Sequence, residues 1–166
     1  LPTKAMNSTS VEISLPSVYG SIVSLNDVRY KNKPVILQIY GSWCPNCLDE
    51  VRFLAEWYRN HRLEGVEILA LAFERAVSPA KAKMNVLKSI EKYNVEYDFL
   101  LAGTDKTTNP EQILPIKNFI SFPTTIFLNQ SHHIVKIHAG FSGPATGEEF
   151  ERFKVFFHET IKSIKK

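Results

Sequence analysis

The chain has 166 residues, 44% of them hydrophobic and 11% aromatic, which is enough for one ordinary domain with its own core and excludes an intrinsically disordered chain. Twenty basic residues against 17 acidic ones leave a net charge of +3, too mild an excess to suggest a nucleic-acid-binding surface. No apolar run approaches the roughly 20 residues that a membrane span requires.

The opening LPTKAMNSTS is polar and uncommitted, so residues 1–10 are expected to form a flexible segment. An export signal or membrane anchor is expected to have preceded Leu1. VEISL (11–15) and SIVSL (21–25), separated by turn residues around Gly20, predict a short hairpin. Lys33 to Tyr40 is a nearly continuous apolar and β-branched run, as a central strand covered on both faces requires. In the segment that follows, Leu48, Val51, Leu54, Ala55 and Tyr58 recur at helical steps. Asp49, Glu50, Arg52, Glu56 and Arg59 are assigned to the opposite, solvated side.

Val66 to Phe73 is a second buried strand. Ser78 before Pro79 is a helix start, because Ser accepts an orphan N–H and Pro tolerates the first helical position; Val86, Leu87, Ile90 and Tyr93 give that helix one apolar face. YDFLLA (97–102) predicts a third strand, and residues 109–120 a short helical turn limited by Pro115. TTIFLN (124–129) and HIVKIHA (133–139) predict a hairpin. The final helix is expected to open with a capping box of Thr146 and Glu149 and to bury Phe150, Phe153, Phe157, Ile161 and Ile164. The closing KSIKK reads as a solvated helix end. One β/α domain over residues 11–166 accounts for the whole pattern.

The only cysteines, Cys44 and Cys47, admit three roles: a structural staple, half of a metal site, or a reactive dithiol. A bridge across so short a loop would add little stability, so the staple is the weakest reading. Two thiolates at this spacing are half of a zinc site, but there is no second Cys pair. None of His61, His132, His133, His138 and His158 has close ligand spacing to them, leaving zinc and copper as minor readings. The dithiol reading is strongest. Cys44 falls where a strand ends and a helix begins, so free backbone N–H groups and the positive helix end favour its thiolate. Cys47 follows one helical turn on, within reach for forming or breaking a disulfide.

Trp43-Cys44-Pro45-Asn46-Cys47 after an apolar strand in a βαβ pattern resembles the thioredoxin superfamily, and within it the exported TlpA/ResA-like thiol–disulfide oxidoreductases. Residues 14–47 resemble that group's N-terminal hairpin, central strand and active-site turn. SFPTTIFLNQ (121–130) resembles the segment carrying the superfamily's cis-proline, and HIVKIHAGFSG (133–143) its final hairpin strand. The resemblance runs from about residue 12 to the end. It implies an α/β, thioredoxin-like fold: a central mixed β-sheet flanked by helices, with an N-terminal β-hairpin.

By the same resemblance, Cys44 is the nucleophile, Cys47 the resolving thiol and Pro123 the cis-proline. Trp43 and Pro45 border the nucleophile, and Phe122 offers backbone groups to an extended substrate segment. Thioredoxins proper keep a buried Asp six residues before the first Cys; here that position is Gln38, which cannot titrate. Glu74, at the end of the second buried strand, is the candidate replacement for exchanging a proton with Cys47. The resemblance further implies an exported, periplasm-facing monomer without cofactor or metal. It would reduce disulfides in partner proteins, with cytochrome c maturation as the process indicated, and draw electrons from a membrane-embedded donor. Two alternatives are a thiol peroxidase of the peroxiredoxin group, against which the tight Cys pair argues, and a copper-carrying module using both cysteines and a histidine.

Overall fold

The computed structural model describes residues 1–6, 10–104 and 106–166. Residues 7–9, inside the N-terminal segment expected to be flexible, and Asp105 lie outside the described residues. The chain order is β1 (Lys4–Ala5), β2 (Ser14–Pro16), β3 (Ile22–Ser24), β4 (Val35–Tyr40), α1 (Pro45–Asn60), β5 (Glu67–Phe73) and α2 (Pro79–Lys92). It continues through β6 (Asp98–Gly103), β7 (Ile116–Lys117), β8 (Thr124–Leu128), β9 (Ile134–Ala139) and α3 (Glu148–Ile164).

Five strands form the central sheet in the order β6-β5-β4-β8-β9. β4, β5 and β6 run parallel, whereas β8 pairs antiparallel with both β4 and β9. The mixture follows from the connections: helical crossovers keep the first three strands parallel, and a short turn joins the last two. From β4 to β5 to β6 the chain steps in one direction, and right-handed crossovers put α1 and α2 on the same face. That face buries Ile36, Tyr40, Ala70 and Phe99 against Val51, Leu54, Val86, Phe157 and Ile161. On the other face Leu37, Ile39, Leu69 and Leu71 pack under Val11, Ile13, Val23, Leu25 and Ile116. Every residue of β4 is buried, as its unbroken apolar run requires.

The β2–β3 hairpin pairs Leu15 with Val23, and Gly20 turns the chain with φ 101°. Lys4–Ala5, in a stretch whose composition carries no strand signal, pairs with Ile116–Lys117 across more than a hundred residues. The short helical turn expected within residues 109–120 is a single 3-10 turn, Pro110–Gln112, capped by Asn109, and β7 follows it. The expected capping box of α3 is absent. Its N-cap is Gly147, at φ 66°, and the Thr146 hydroxyl donates instead to the Gly143 carbonyl at 2.7 Å. Thr146 is held in a separate 3-10 turn, Pro144–Thr146, one residue too early to cap the helix.

Candidate active site

β4 delivers the chain to Gly41, whose carbonyl accepts the Cys44 N–H at 3.1 Å. Cys44 is the N-cap of α1 in extended conformation, and Pro45 follows in the first turn, where its missing N–H costs nothing. The Cys44 sulfur accepts the backbone N–H of Cys47 at 3.2 Å. This is the bond that Ser or Asp makes at an ordinary N-cap, here made by sulfur. Cys44 keeps 6% exposure at the surface while Cys47, one turn on, is fully buried; both thiols are free.

The two thiols are pushed apart in acidity. Donation from the Cys47 thiol lowers Cys44, aided by the Cys47 and Asn46 amides and the Arg75 charge, and burial only partly opposes this. Burial raises Cys47, and the negative charge on Cys44 raises it further. The pair therefore consists of one thiol that just reaches the surface, poised to ionise, and one fully buried thiol that keeps its proton.

Trp43 folds back over the end of β5. Its indole N–H donates to the Phe73 carbonyl at 2.9 Å, and its ring meets Phe122 edge-on at 4.9 Å. Gly41 makes room for this: a Cβ there would fall 2.3 Å from the indole nitrogen. The Arg75 guanidinium lies 3.5 Å from the Trp43 ring centroid, a cation–π contact. Opposite Cys44, the Phe122–Pro123 peptide bond is cis, and the Phe122 carbonyl lies 3.6 Å from the Cys44 sulfur. Trp43, Cys44, Phe122 and Pro123 thus meet at one edge, with Pro45 exposed beside them.

Beneath the dithiol is a residue the helical pattern misplaced. Glu50, assigned to the solvated side of α1, is fully buried. The stripe through Cys47, Glu50, Leu54 and Tyr58 runs at steps of three and four, so Glu50 shares the inward face with Cys47. Its Oε2 accepts the Thr125 hydroxyl at 2.6 Å, while Oε1 has no hydrogen-bond partner among the described residues. Burial raises this carboxyl to about 7, with Thr125 and Gln38 opposing. Gln38 and Thr125 are paired in register between β4 and β8. The Gln38 amide donates to the Cys47 carbonyl at 3.5 Å and accepts the Tyr97 hydroxyl at 3.1 Å. Glu50 was detectable in the sequence as the one acidic residue three positions after Cys47 on the same face.

Glu74 is also buried, at 1% exposure. Its carboxylate accepts both the backbone N–H of Ser42, at 2.8 Å, and the Ser42 hydroxyl. Burial raises its pKa and the Ser42 bonds oppose the rise. It therefore grips the loop two residues before Cys44, and no hydrogen bond joins it to either sulfur among the described residues.

Among the described residues no three His, Cys, Asp or Glu side chains gather to hold a metal ion. His132 instead bonds the Tyr30 and Lys33 carbonyls, His61 stacks on Trp57, and His138 packs against Phe153 and Phe156. No helix is long and apolar enough to cross a membrane among the described residues.

Set beside known proteins, residues 6–137 match the sequence profile of the AhpC/TSA family. The thiol-disulfide oxidoreductase ResA of Geobacillus kaustophilus (strain HTA426) is 28% identical over 148 residues, 89% of this chain and 75% of that protein. ResA of Geobacillus thermodenitrificans (strain NG80-2) is 29% identical over 136 residues, 82% of this chain and 70% of that one. The thioredoxin domain of a thiol-disulfide oxidoreductase from Bacteroides vulgatus shares the fold at a TM-score of 0.63 and 20% identity, covering 90% of this chain and 97% of that one.

Proposed function

The chain belongs to the AhpC/TSA family, and on that premise we propose that it is a thiol–disulfide oxidoreductase that reduces disulfides of partner proteins. The observation that carries this reading is the asymmetry of the pair: Cys44, at 6% exposure and with its thiolate favoured, just reaches the surface, and Cys47 one helical turn behind it has no exposure. Ionised Cys44 attacks one sulfur of the substrate disulfide. The substrate S–S bond breaks, a Cys44–substrate bond forms, and the first substrate sulfur leaves as a thiolate that takes a proton from water.

Capturing Cys44 in a covalent bond removes the negative charge that helped keep Cys47 protonated. Cys47 then loses its proton and attacks the Cys44 sulfur. The second substrate thiolate leaves with the electron pair, and the chain is left with a Cys44–Cys47 disulfide. Glu50, buried on the same helix face, is the acceptor for the Cys47 proton, since a carboxyl raised to about 7 can take and return one near neutrality. Glu74 serves as a positioning residue by fixing Ser42 and hence the turn that presents Cys44. Trp43, Pro45, Phe122 and Pro123 form the edge on which the substrate lies, with the Phe122 backbone next to the reacting sulfur.

The chain acts as a monomer in an exported compartment, and a membrane-embedded dithiol donor restores its thiols. A thiol peroxidase would carry a lone attacking cysteine in a Thr-rich turn, whereas Cys44 follows Trp43 and has Cys47 at its side. The test is turnover of a protein disulfide such as that of insulin, with dithiothreitol as the recycling reductant. Wild type should accelerate reduction and Cys44→Ser should fall to the uncatalysed rate; a Cys44→Ser protein with full activity would sink the mechanism.

A further inference from the structure

Two clefts flank Trp43, and both are walled by cations. The first, about 470 Å³, lies between Trp43, Phe122 and the loop after β6, with Arg75 and Lys106 at its border. The second, about 370 Å³, lies between Trp43 and α2, with Lys88 and Lys92 lining it. All four cations are exposed. None of the four is in an ion pair among the described residues. Among the described residues the one carboxylate lining either cleft is Glu74, which is buried and spent on Ser42. Among the described residues, a chain with a net charge of only +3 thus gathers four unpaired cations around its most reactive sulfur.

We propose that these clefts select substrate segments with acidic side chains on both sides of the disulfide. The inference rests on the dithiol reading above and adds to it the chemical class of the substrate. A segment crossing Phe122–Pro123 to bring its sulfur to Cys44 has to pass Trp43. Its flanking side chains then fall towards Arg75 and Lys106 on one side and Lys88 and Lys92 on the other. Unpaired cations on a rim favour an anionic partner mainly through the rate of encounter, so the preference is sensitive to salt. The Arg75 guanidinium lies over Trp43, and among the described residues no ion pair occupies its donors, which suit a carboxylate.

The experiment uses the pre-reduced chain and short peptides containing one disulfide flanked by Glu, by Ser or by Lys. Each rate is divided by that of dithiothreitol on the same peptide, which removes intrinsic differences in disulfide reactivity. The Glu-flanked peptide should be reduced on the order of tenfold faster than the Lys-flanked one at low salt, from several rim pairs each giving a small factor. The ratio should shrink towards one near 1 M salt, where screening acts within about 3 Å. The combined variant Lys88→Gln, Lys92→Gln, Lys106→Gln should lower the Glu-to-Lys ratio several-fold, as should Arg75→Gln alone. Because the ratio is read within each protein, any change common to all disulfides cancels. A wild-type ratio near one, or a ratio that neither salt nor these variants alter, overturns the proposal while leaving the dithiol reading standing. Failure to reduce any of the peptides, or the neutral hydroxyethyl disulfide, overturns the dithiol reading itself.

Discussion

A carboxyl group with no route to water is costly to ionise, and Glu50 is such a group. Its ordinary value of 4.5 rises to about 7 in the fold. Between those two pH values the folded chain holds a proton that the unfolded chain has released, so the linkage has a definite sign: stability falls as pH rises through this window. At about 1.4 kcal/mol per pH unit the loss is of order 3 kcal/mol. Glu50→Gln removes the titrating group while keeping an acceptor for Thr125. In urea unfolding at pH 5 and pH 7, the wild type should lose stability relative to Glu50→Gln; parallel pH dependences would show that the carboxyl does not titrate in this range. The same substitution should slow release of a mixed disulfide by Cys47 more than its formation by Cys44.

At the level of elements, α2 matters because it supplies one wall of the second cleft. Ser78 starts it, accepting the Lys81 N–H at 3.1 Å with Pro79 in the first turn. Ser78→Ala should cost about 1 kcal/mol by urea denaturation, as loss of a side-chain cap does, and no measurable loss would mean that the cap is replaced by water. Such local signals were legible in the sequence. So were the apolar run of β4, the β2–β3 and β8–β9 hairpins, and the placement of Cys44 at a helix start. Less legible was whatever depends on partners distant in the chain. β1 forms only because Ile116–Lys117 offers it an edge. The Thr146–Glu149 spacing suits a cap, but the turn at Pro144 sets the helix start one residue later. Glu50 looked solvated because charge is ordinarily read as surface, although its spacing from Cys47 already put it on the inward stripe.

At the level of the whole molecule, the sheet fixes the site from three directions. β4 ends under Cys44, β5 brings Glu74 and Arg75 beside Trp43, and the approach to β8 brings Phe122–Pro123 across from the sulfur. Helices on one face and the hairpin on the other leave this end of the sheet open, so a substrate can reach Cys44 but not Cys47. Cys44 therefore attacks and Cys47 resolves, and Cys47→Ser separates the two steps. The reduced variant, mixed with a disulfide peptide and examined by peptide-mapping mass spectrometry, should accumulate one covalent adduct, on Cys44, that is not released. Absence of an adduct, or its release as fast as from the wild-type chain, would contradict the assignment of Cys44 as attacking sulfur and Cys47 as resolving one.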